Sequence, residues 1–559
     1  MSTKSKTKTK QAQTEIKQVK VQPKKTFDLH VYLLLGMILL FVLLRIRLLD
    51  IPLERDEGEY AYIGKLLMEG IAPYKEAYNM KLPGTYFMYA LIMSIFGSTT
   101  SGIHIGLMLV NAATIAILFF GFRRIFNAPI ALFASSVYGL MSLSSNFMGF
   151  AAHATQFVSF FSAAGIYFLS VFLVNRKLLT AFLIGLMFGL SFLMKQQAVF
   201  FLLLGGILVV VTGILKKPVS FLKISLEGLV YSAGAILPYA LTALYLKMAG
   251  VFDKFWFWTV TYASKYASGL SLKDGRATFN ESFSPMWQEF KIFWFLLLAG
   301  LAVTILSKMS VIQKLIAISF TVFAFLTVCP GFYFRQHYFI PFLPAVGLMG
   351  GIALNYLSEQ LAGLMNRKSF AYLPFVVFII ALFIILPQKN EYYLQPDAET
   401  ISKNIYGSNP FVESVVISDY IKSNSSQGDK IAVLGSEPQI YFYSDRHAAS
   451  GHIYTYGLME ENNSYNLKMQ EEMISEIEKN KPEFLLICNI GTSWLRRANS
   501  PSKIFDWSSN YAQQYYDMVG VTDIISNTQT NYVWGKDVPQ YRPGSENLIY
   551  IFKKKTQIN

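Results

Sequence analysis

The chain has 559 residues, of which 53% are hydrophobic and only 15% are charged, and its mean hydropathy is +0.37. Because soluble proteins contain about 25% charged residues, this composition excludes a soluble domain and predicts a chain that lies mostly in a membrane. The formal net charge of +14 does not indicate nucleic-acid binding, because eight lysines and one glutamate among the first 26 residues account for half of it. No basic patch with interleaved aromatic residues follows.

The lysine-rich N-terminal segment sets the orientation of the chain. Residues 1–28 bury no apolar surface and are predicted to form a disordered basic tail. Lys and Arg collect in the cytoplasmic segments of membrane proteins, so the tail predicts a cytoplasmic N-terminus that touches anionic lipid. The apolar run at residues 32–49 is too long for the core of a secretion signal and predicts a first spanning helix.

Residues 29–387 are predicted to form an α-helical polytopic membrane domain with about 11 transmembrane helices. Basic turns at residues 123–124, 175–177, 216–217, 308 and 367–368 then all fall on the cytoplasmic side. The outer loop at residues 50–101 includes an apolar stretch, 86–96, that is too short to cross and predicts an interfacial helix. A second outer loop, at residues 247–289, is rich in aromatic residues. It is predicted to cover the site, contact an isoprenoid tail or form an interfacial belt.

Residues 388–559 have a different pattern, with apolar runs of strand length at 430–434, 483–487 and 548–552. Helical periodicity at residues 412–422 and 467–479 separates these runs. The alternation predicts a small α/β domain, which the predicted orientation of the last span, residues 371–386, places outside the cytoplasm.

Four carboxylates stand within six residues directly after the first span, at Glu54, Asp56, Glu57 and Glu59. One interpretation is a solvated turn whose acids cap the next helix. The other is a catalytic base, with the pKa of Asp56 raised by desolvation and by its neighbours.

Basic side chains are predicted at the same membrane face. Lys81, Lys195 and Arg335 lie near the outer ends of apolar segments. Snorkelling explains a single lysine in such a position, but the positive-inside rule does not explain Arg335. Together the three predict a site for a phosphate group, whose developing charge they would stabilise.

A metal site is not predicted, because the sequence shows no HxxxH, no CxxC and no acidic triplet on one predicted helix. His153 is predicted at the outer end of a span, either as a satisfied polar residue or in contact with substrate. A divalent cation held by Asp56 and a sugar phosphate stays open. The chain has no Walker loop or GxGxxG motif in a nucleotide-binding context, so nucleotide donors are not indicated.

Four segments give the chain a family resemblance: RDEGEYAY at residues 55–62, NMKLPG at 79–84, KQ at 195–196 and YFIPFLP at 338–344. They resemble the GT-C polyprenyl-phosphate-sugar glycosyltransferases, in particular the PMT-like group of protein O-mannosyltransferases and lipid A aminoarabinose transferases. The resemblance implies a GT-C fold and a membrane glycosyltransferase. No required cofactor is predicted, because the sequence lacks the corresponding motifs. It covers roughly residues 33–386.

The resemblance also implies roles for individual residues. Asp56 inherits the role of base and Glu57 a supporting catalytic role. The donor phosphate is assigned to Lys81, Lys195 and Arg335. The remaining predicted residues shape the sugar and acceptor site, and these are Tyr60, His153, Gln196, His337 and Tyr338.

The predicted reaction is transfer of a monosaccharide from a polyprenyl-phosphate-linked donor to a protein, lipid or glycan on the outer face of the membrane, with inversion. The predicted partners are this donor, an unidentified acceptor and membrane lipid, and the predicted location is the bacterial inner membrane. Two alternatives stay open: a transporter or flippase of lipid-linked sugars, and a noncatalytic scaffold of an envelope glycan pathway. A transporter would place ionisable groups near the bilayer midplane and show repeated halves, and the sequence shows neither.

Overall fold

The structure is a computed structural model that describes residues 28–394, 397–461 and 464–556. The predicted basic tail lies outside the described residues except for Asp28. The chain is mostly helical up to residue 394 and forms a mixed sheet with helices after residue 430.

Within the described ranges, eight helical segments are long and apolar enough to cross a membrane: Leu29–Ile46, Thr100–Ile125, Ala154–Asn175, Gln196–Leu215, Phe221–Met248, Leu272–Leu306, Gln336–Met365 and Ser369–Gln388. Four apolar helices are shorter: Gly84–Phe96, Ala128–Met141, Leu178–Met194 and Val311–Leu326. The eleven predicted spans correspond to the eight long segments and to three of the shorter ones. The fourth, Gly84–Phe96, is the helix predicted to be interfacial. The polytopic fold predicted from hydropathy is therefore confirmed.

The segment predicted as an outer loop, residues 247–289, is mostly helical. It contains Phe252–Trp256, the π-helical turn Phe257–Tyr262, Ala263–Ala267 and the first half of Leu272–Leu306. Ser271 begins the long helix, since its side chain accepts a hydrogen bond from the backbone N–H of Asp274. Most of the aromatic residues of this segment therefore lie on helices.

Local capping signals fix where several membrane helices begin. The Thr99 side chain accepts from Gly102 N and the Asn127 side chain accepts from Ile130 N. Ser310 forms a reciprocal capping box with Gln313. Each cap provides a partner for a backbone N–H that the helix itself leaves unpaired.

Small residues let two of the membrane helices approach closely. A Cβ atom on Gly185 would lie 2.0 Å from Tyr231 O, and one on Gly234 would lie 2.2 Å from Phe182 O. The helices Leu178–Met194 and Phe221–Met248 therefore make backbone-level contact, as small residues allow between helices in a membrane.

The C-terminal part forms a six-stranded sheet in the order β2-β1-β3-β6-β4-β5. The strands are β1 Lys430–Leu434, β2 His447–Ala448, β3 Phe484–Asn489, β4 Tyr516–Ser526, β5 Gln529–Trp534 and β6 Leu548–Lys554. Strand β1 pairs in parallel with β2 and β3, and the other pairs are antiparallel. The main helices of this part are Ala398–Tyr406, Phe411–Ser423, Gln439–Ser444, Asn466–Asn480 and Lys503–Tyr515.

The C-terminal part packs directly against the helix Arg55–Met68, which follows the first membrane helix. A Cβ atom on Gly58 would lie 2.6 Å from the Gln439 backbone, so only glycine permits this approach. Beside it, Arg55 forms a buried ion pair of 2.7 Å with Glu437. These contacts fix the start of the helix that carries the predicted catalytic acids.

Candidate active site

A cavity of about 380 Å³, here named the site cavity, lies where the membrane helices meet the C-terminal part. Eight of the ten predicted site residues line it: Asp56, Tyr60, Lys81, Lys195, Gln196, Arg335, His337 and Tyr338. Four distant segments of the sequence thus meet at one place.

The first turn of the helix Arg55–Met68 points successive side chains in different directions, because consecutive helical residues are rotated by about 100°. Arg55 points to the C-terminal part, where it meets Glu437. Asp56 lines the site cavity. Glu54 caps the helix by accepting from Glu57 N at 3.0 Å. Glu54 therefore caps the helix, as the first interpretation of the acidic cluster predicted. Asp56 lies at a cavity, as a catalytic base would.

The Asp56 carboxylate is paired with Lys81, whose Nζ donates to Oδ1 at 2.8 Å. Burial alone would raise the pKa of Asp56, but the charges of Lys81, His153 and Arg335 outweigh it and hold the pKa below its usual value. The prediction of a raised pKa is therefore wrong. The cations that the sequence assigned to the phosphate also stabilise the ionised form of this acid.

Glu59 is a site residue that the sequence-based assignment missed. It is fully buried and accepts hydrogen bonds from Lys81 at 2.6 Å, Asn79 at 2.8 Å and Tyr86 at 2.8 Å. Lys81 is thus shared between Asp56 and Glu59, and its pKa is raised by these carboxylates against the opposing effect of burial. The sequence contained a signal for this role, because Asp56 and Glu59 are three residues apart and residues at this spacing share a helix face.

Glu57 does not line the site cavity. It is fully buried, and Oε1 accepts from the backbone N–H of Ala152 at 2.6 Å and lies 3.1 Å from His104 Nε2. Glu57 therefore does not lie at the reaction centre, where it was predicted. Its position on the helix directs its side chain towards the loop that precedes His153. Glu57 fixes that loop.

Lys195 and Arg335 are the cations of the site cavity that have no carboxylate partner among the described residues. Lys195 Nζ lies 3.5 Å from the centroid of the Tyr338 ring. Burial lowers the pKa of Lys195, and the charges of Lys81 and Arg335 add to this effect, while Asp56 opposes it. An anion in the cavity would therefore give these two cations the partner of opposite charge that they lack among the described residues.

The loop that carries Lys81 is fastened to the end of the helix that precedes Lys195. Gln196 Nε2 donates to the carbonyl of Met80 at 2.7 Å. A Cβ atom on Gly84 would lie 2.5 Å from the carbonyl of Leu193, so the glycine allows the two segments to touch. Gln196 thus lines the cavity and also holds the two lysines at a fixed separation.

Two histidines close one side of the site. The rings of His153 and His337 stack with centroids 4.0 Å apart. Burial lowers the pKa of His153 to about 4, although Asp56 and Glu57 oppose the shift. Neither ring nitrogen of His153 has a hydrogen-bond partner among the described residues.

Asp56, His153 and His337 are also the group in the described residues that could hold a metal ion, with one ligand atom from each within 4.8 Å of the others. The sequence could not reveal this group by spacing, because its members come from three separate segments. The expectation that no metal is required stays a prediction. Neutral imidazoles and a carboxylate are suitable ligands for a divalent cation.

Aromatic side chains form much of the remaining wall. Trp258 and Tyr262, from the helical segment predicted as a loop, line the cavity, while Trp256 is 48% exposed. From the C-terminal part, Tyr454 and Tyr456 line it. The sequence patterns had given no site role to the C-terminal part.

Comparisons with known proteins find one family model that matches part of the sequence and several solved structures with a similar fold. The family model described as dolichyl-phosphate-mannose-protein mannosyltransferase matches residues 80–237. No curated protein matches the chain significantly. Among solved structures, ArnT from Cupriavidus metallidurans bound to undecaprenyl phosphate superposes with a TM-score of 0.55 at 13% identity, covering 93% of this chain and 97% of ArnT.

A second similar structure is the archaeal oligosaccharyltransferase AglB from Archaeoglobus fulgidus, in complex with an inhibitory peptide and a dolichol-phosphate. It superposes with a TM-score of 0.51 at 12% identity, covering 91% of this chain and 74% of AglB. The GT-C fold is thereby confirmed. The family match confirms the resemblance to polyprenyl-phosphate glycosyltransferases that the motifs indicated, and the transporter and scaffold alternatives are not favoured.

Proposed function

We propose that the chain transfers a monosaccharide from a polyprenyl-phosphate-linked donor to a nucleophilic acceptor in the site cavity, with inversion at the anomeric carbon. The acceptor is a hydroxyl or amine of a protein, lipid or glycan. The observation that carries the proposal is that Lys195 and Arg335, two cations with no carboxylate partner among the described residues, line the same cavity as the ionised carboxylate of Asp56.

The cations favour a phosphate leaving group. As the bond from the anomeric carbon to the phosphate oxygen breaks, its electron pair leaves with the phosphate, and Lys195 and Arg335 stabilise the added negative charge. Lys81 borders the same cavity. We retain it as a third phosphate contact, although its charge is already shared by Asp56 and Glu59.

The carboxylate favours activation of the acceptor. The acceptor oxygen or nitrogen forms the new bond to the anomeric carbon while its proton passes to Asp56. Because the pKa of Asp56 is held low, Asp56 is ionised at neutral pH but weakly basic. It therefore first accepts a hydrogen bond that orients the acceptor and takes the proton late in the step.

The domain and membrane assignments follow from the same proposal. Residues 29–387 form the catalytic membrane domain, residues 388–559 form an extracytoplasmic α/β domain, and residues 1–28 stay in the cytoplasm. The basic turns support this orientation through the positive-inside rule. The site cavity then opens on the outer face of a bacterial inner membrane, where it receives donors that have already been flipped.

The first experiment identifies the donor and tests transfer. Lipids that co-purify with the full-length protein are analysed by mass spectrometry. The wild type and Asp56→Asn are then compared in transfer of a radiolabelled sugar from the lipid fraction to membrane acceptors. We expect polyprenyl-phosphate sugars in the lipid fraction, and we expect Asp56→Asn to bind them but to lose transfer.

The matched control is Asp50→Asn, in the same loop. Asp50 is exposed, accepts a hydrogen bond from Ser101 and does not line the cavity. It should transfer sugar normally. Transfer at the wild-type rate by a folded, donor-binding Asp56→Asn protein would disprove the catalytic assignment.

A further inference from the structure

We infer that the C-terminal domain completes the catalytic site, and that Tyr454 is the residue that positions Asp56. The Tyr454 hydroxyl donates a hydrogen bond to Asp56 Oδ1 at 3.1 Å, across 398 residues of sequence. The inference rests on the proposed function, because it names a further residue of the same site.

Two donors meet on one oxygen of Asp56. Oδ1 accepts from Lys81 Nζ at 2.8 Å and from the Tyr454 hydroxyl at 3.1 Å. No described residue donates a hydrogen bond to Oδ2. The two donors therefore fix the plane of the carboxylate and leave Oδ2 as the oxygen that can receive the acceptor proton.

Tyr454 lies in a segment whose neighbouring residues on both sides are anchored in the C-terminal domain. Ile453 is fully buried, and the backbone N–H of Thr455 donates to Ser436 Oγ at 2.9 Å. The Thr455 hydroxyl donates to the carbonyl of Ser493 at 3.2 Å. These anchors fix the backbone on both sides of Tyr454, which lines the site cavity.

The aromatic ring of Tyr454 has contacts of its own, separate from those of its hydroxyl. Lys81 Nζ lies 5.2 Å from its centroid, and the Tyr456 ring packs edge-on at 4.8 Å. A Phe side chain at position 454 keeps both contacts and removes the hydrogen bond. Tyr454→Phe is therefore a test of the hydroxyl alone.

The docking of the C-terminal domain places this hydroxyl. The Arg55–Glu437 ion pair and the close approach of Gly58 to Gln439 hold the domain against the helix that carries Asp56. The membrane domain supplies Lys81, Lys195 and Arg335 from segments between its helices, but it supplies only one of the two donors to Asp56 Oδ1. The site is thus incomplete without the domain, which gives the domain a part in catalysis.

The test measures transfer by the full-length protein, with the donor lipid fraction of the wild type, for Tyr454→Phe. We expect kcat to fall about 10- to 100-fold, the factor that corresponds to one hydrogen bond to a charged group. We expect KM for the donor to stay within about twofold, since Tyr454 orients the carboxylate and does not hold the phosphate. Incorporation of p-aminophenylalanine at position 454, which restores a ring donor, should recover much of kcat.

Tyr516→Phe is the control, because the Tyr516 hydroxyl donates to the carbonyl of Pro482 inside the C-terminal domain and does not reach the cavity. It should match the wild type in kcat. An unchanged kcat in Tyr454→Phe would overturn the inference, as would a rise in KM with kcat unchanged or a failure of p-aminophenylalanine to restore the rate. If the wild-type protein transfers no sugar, the proposed function is wrong. This outcome is distinct from a failure of the inference, which is read from the variants relative to an active wild type.

Discussion

Loss of the Arg55–Glu437 ion pair should release the C-terminal domain from the catalytic helix. Glu437 is fully buried and Arg55 is 8% exposed, and their closest atoms are 2.7 Å apart. Arg55 also donates to Asn409 Oδ1 at 3.1 Å and lies 5.3 Å from the centroid of the Phe411 ring. Glu437→Gln would leave this guanidinium charge buried without its counter-ion.

Breaking one partner of a buried pair costs about 3–5 kcal/mol. For a domain of 150–250 residues, each kcal/mol lowers Tm by about 2–4 °C, so the expected fall in Tm is at least about 6 °C. The assay is thermal unfolding of the full-length protein in detergent, followed by intrinsic fluorescence. Limited proteolysis at each temperature reports release of the domain.

The surface pair Lys503–Glu471 provides the matched control. Its closest atoms are also 2.7 Å apart, but both side chains are about half exposed, and such pairs contribute about 0–1 kcal/mol. Glu471→Gln should therefore leave Tm nearly unchanged. The reasoning is refuted if Glu437→Gln unfolds within about 1 °C of the wild type or of this control. Replacing Arg55 and Glu437 together by Met should restore much of the loss, because no charge then stays buried.

Three more predictions concern the site cavity. Lys195→Met and Arg335→Met should each lower kcat, because each removes a charge that stabilises the departing phosphate, and should raise KM for the donor, with kcat/KM falling about tenfold or more, the value of a charge-assisted hydrogen bond. Steady-state kinetics in which kcat/KM stays within about twofold of the wild type would contradict this. The pKa of Lys195 is lowered and only the charged amine binds phosphate, so undecaprenyl phosphate should dissociate from the protein as the pH rises through a value below that of an ordinary lysine. Titration of Kd against pH should show this loss in the wild type and not in Lys195→Arg. Treatment with EDTA should leave transfer unchanged, because Lys81 already neutralises Asp56. Loss of activity that manganese restores would instead assign a cation to Asp56, His153 and His337.

The membrane architecture could be predicted from sequence because the signal is local. A run of about 20 apolar residues and the basic residues beside it suffice to place a span. Even the short helix Gly84–Phe96 was recognised by its length. The helical segment at residues 252–283 was not, because its mixture of aromatic and polar residues has neither a spanning length of apolar residues nor a clear period.

The candidate site was predictable only where one segment carries its own signal. Asp56 stands in an unusual acidic motif, and Arg335 is a charge in an apolar context. Tyr454 has no such signal, since its role depends on how a distant domain docks. The predicted direction of the pKa shift of Asp56 was wrong for the same reason. The sequence does not show that Lys81 donates a hydrogen bond to this carboxylate and is not reserved for the phosphate.

The charges of the site predict that the enzyme should bind its lipid product more tightly than its donor. The donor is a phosphodiester with one negative charge, whereas the released polyprenyl phosphate is a monoester with a charge of about −1.5 to −2 at pH 7. Lys195 and Arg335 have no carboxylate partner among the described residues, so both can respond to the extra charge, while Asp56 in the same cavity opposes part of the gain. Undecaprenyl phosphate should therefore inhibit competitively against the donor, with an inhibition constant below KM at pH 7.5. The difference should shrink towards pH 5, where the monoester gains a proton and carries about one charge like the donor. Inhibition constants that exceed KM at both pH values would mean that these two cations do not hold the phosphate.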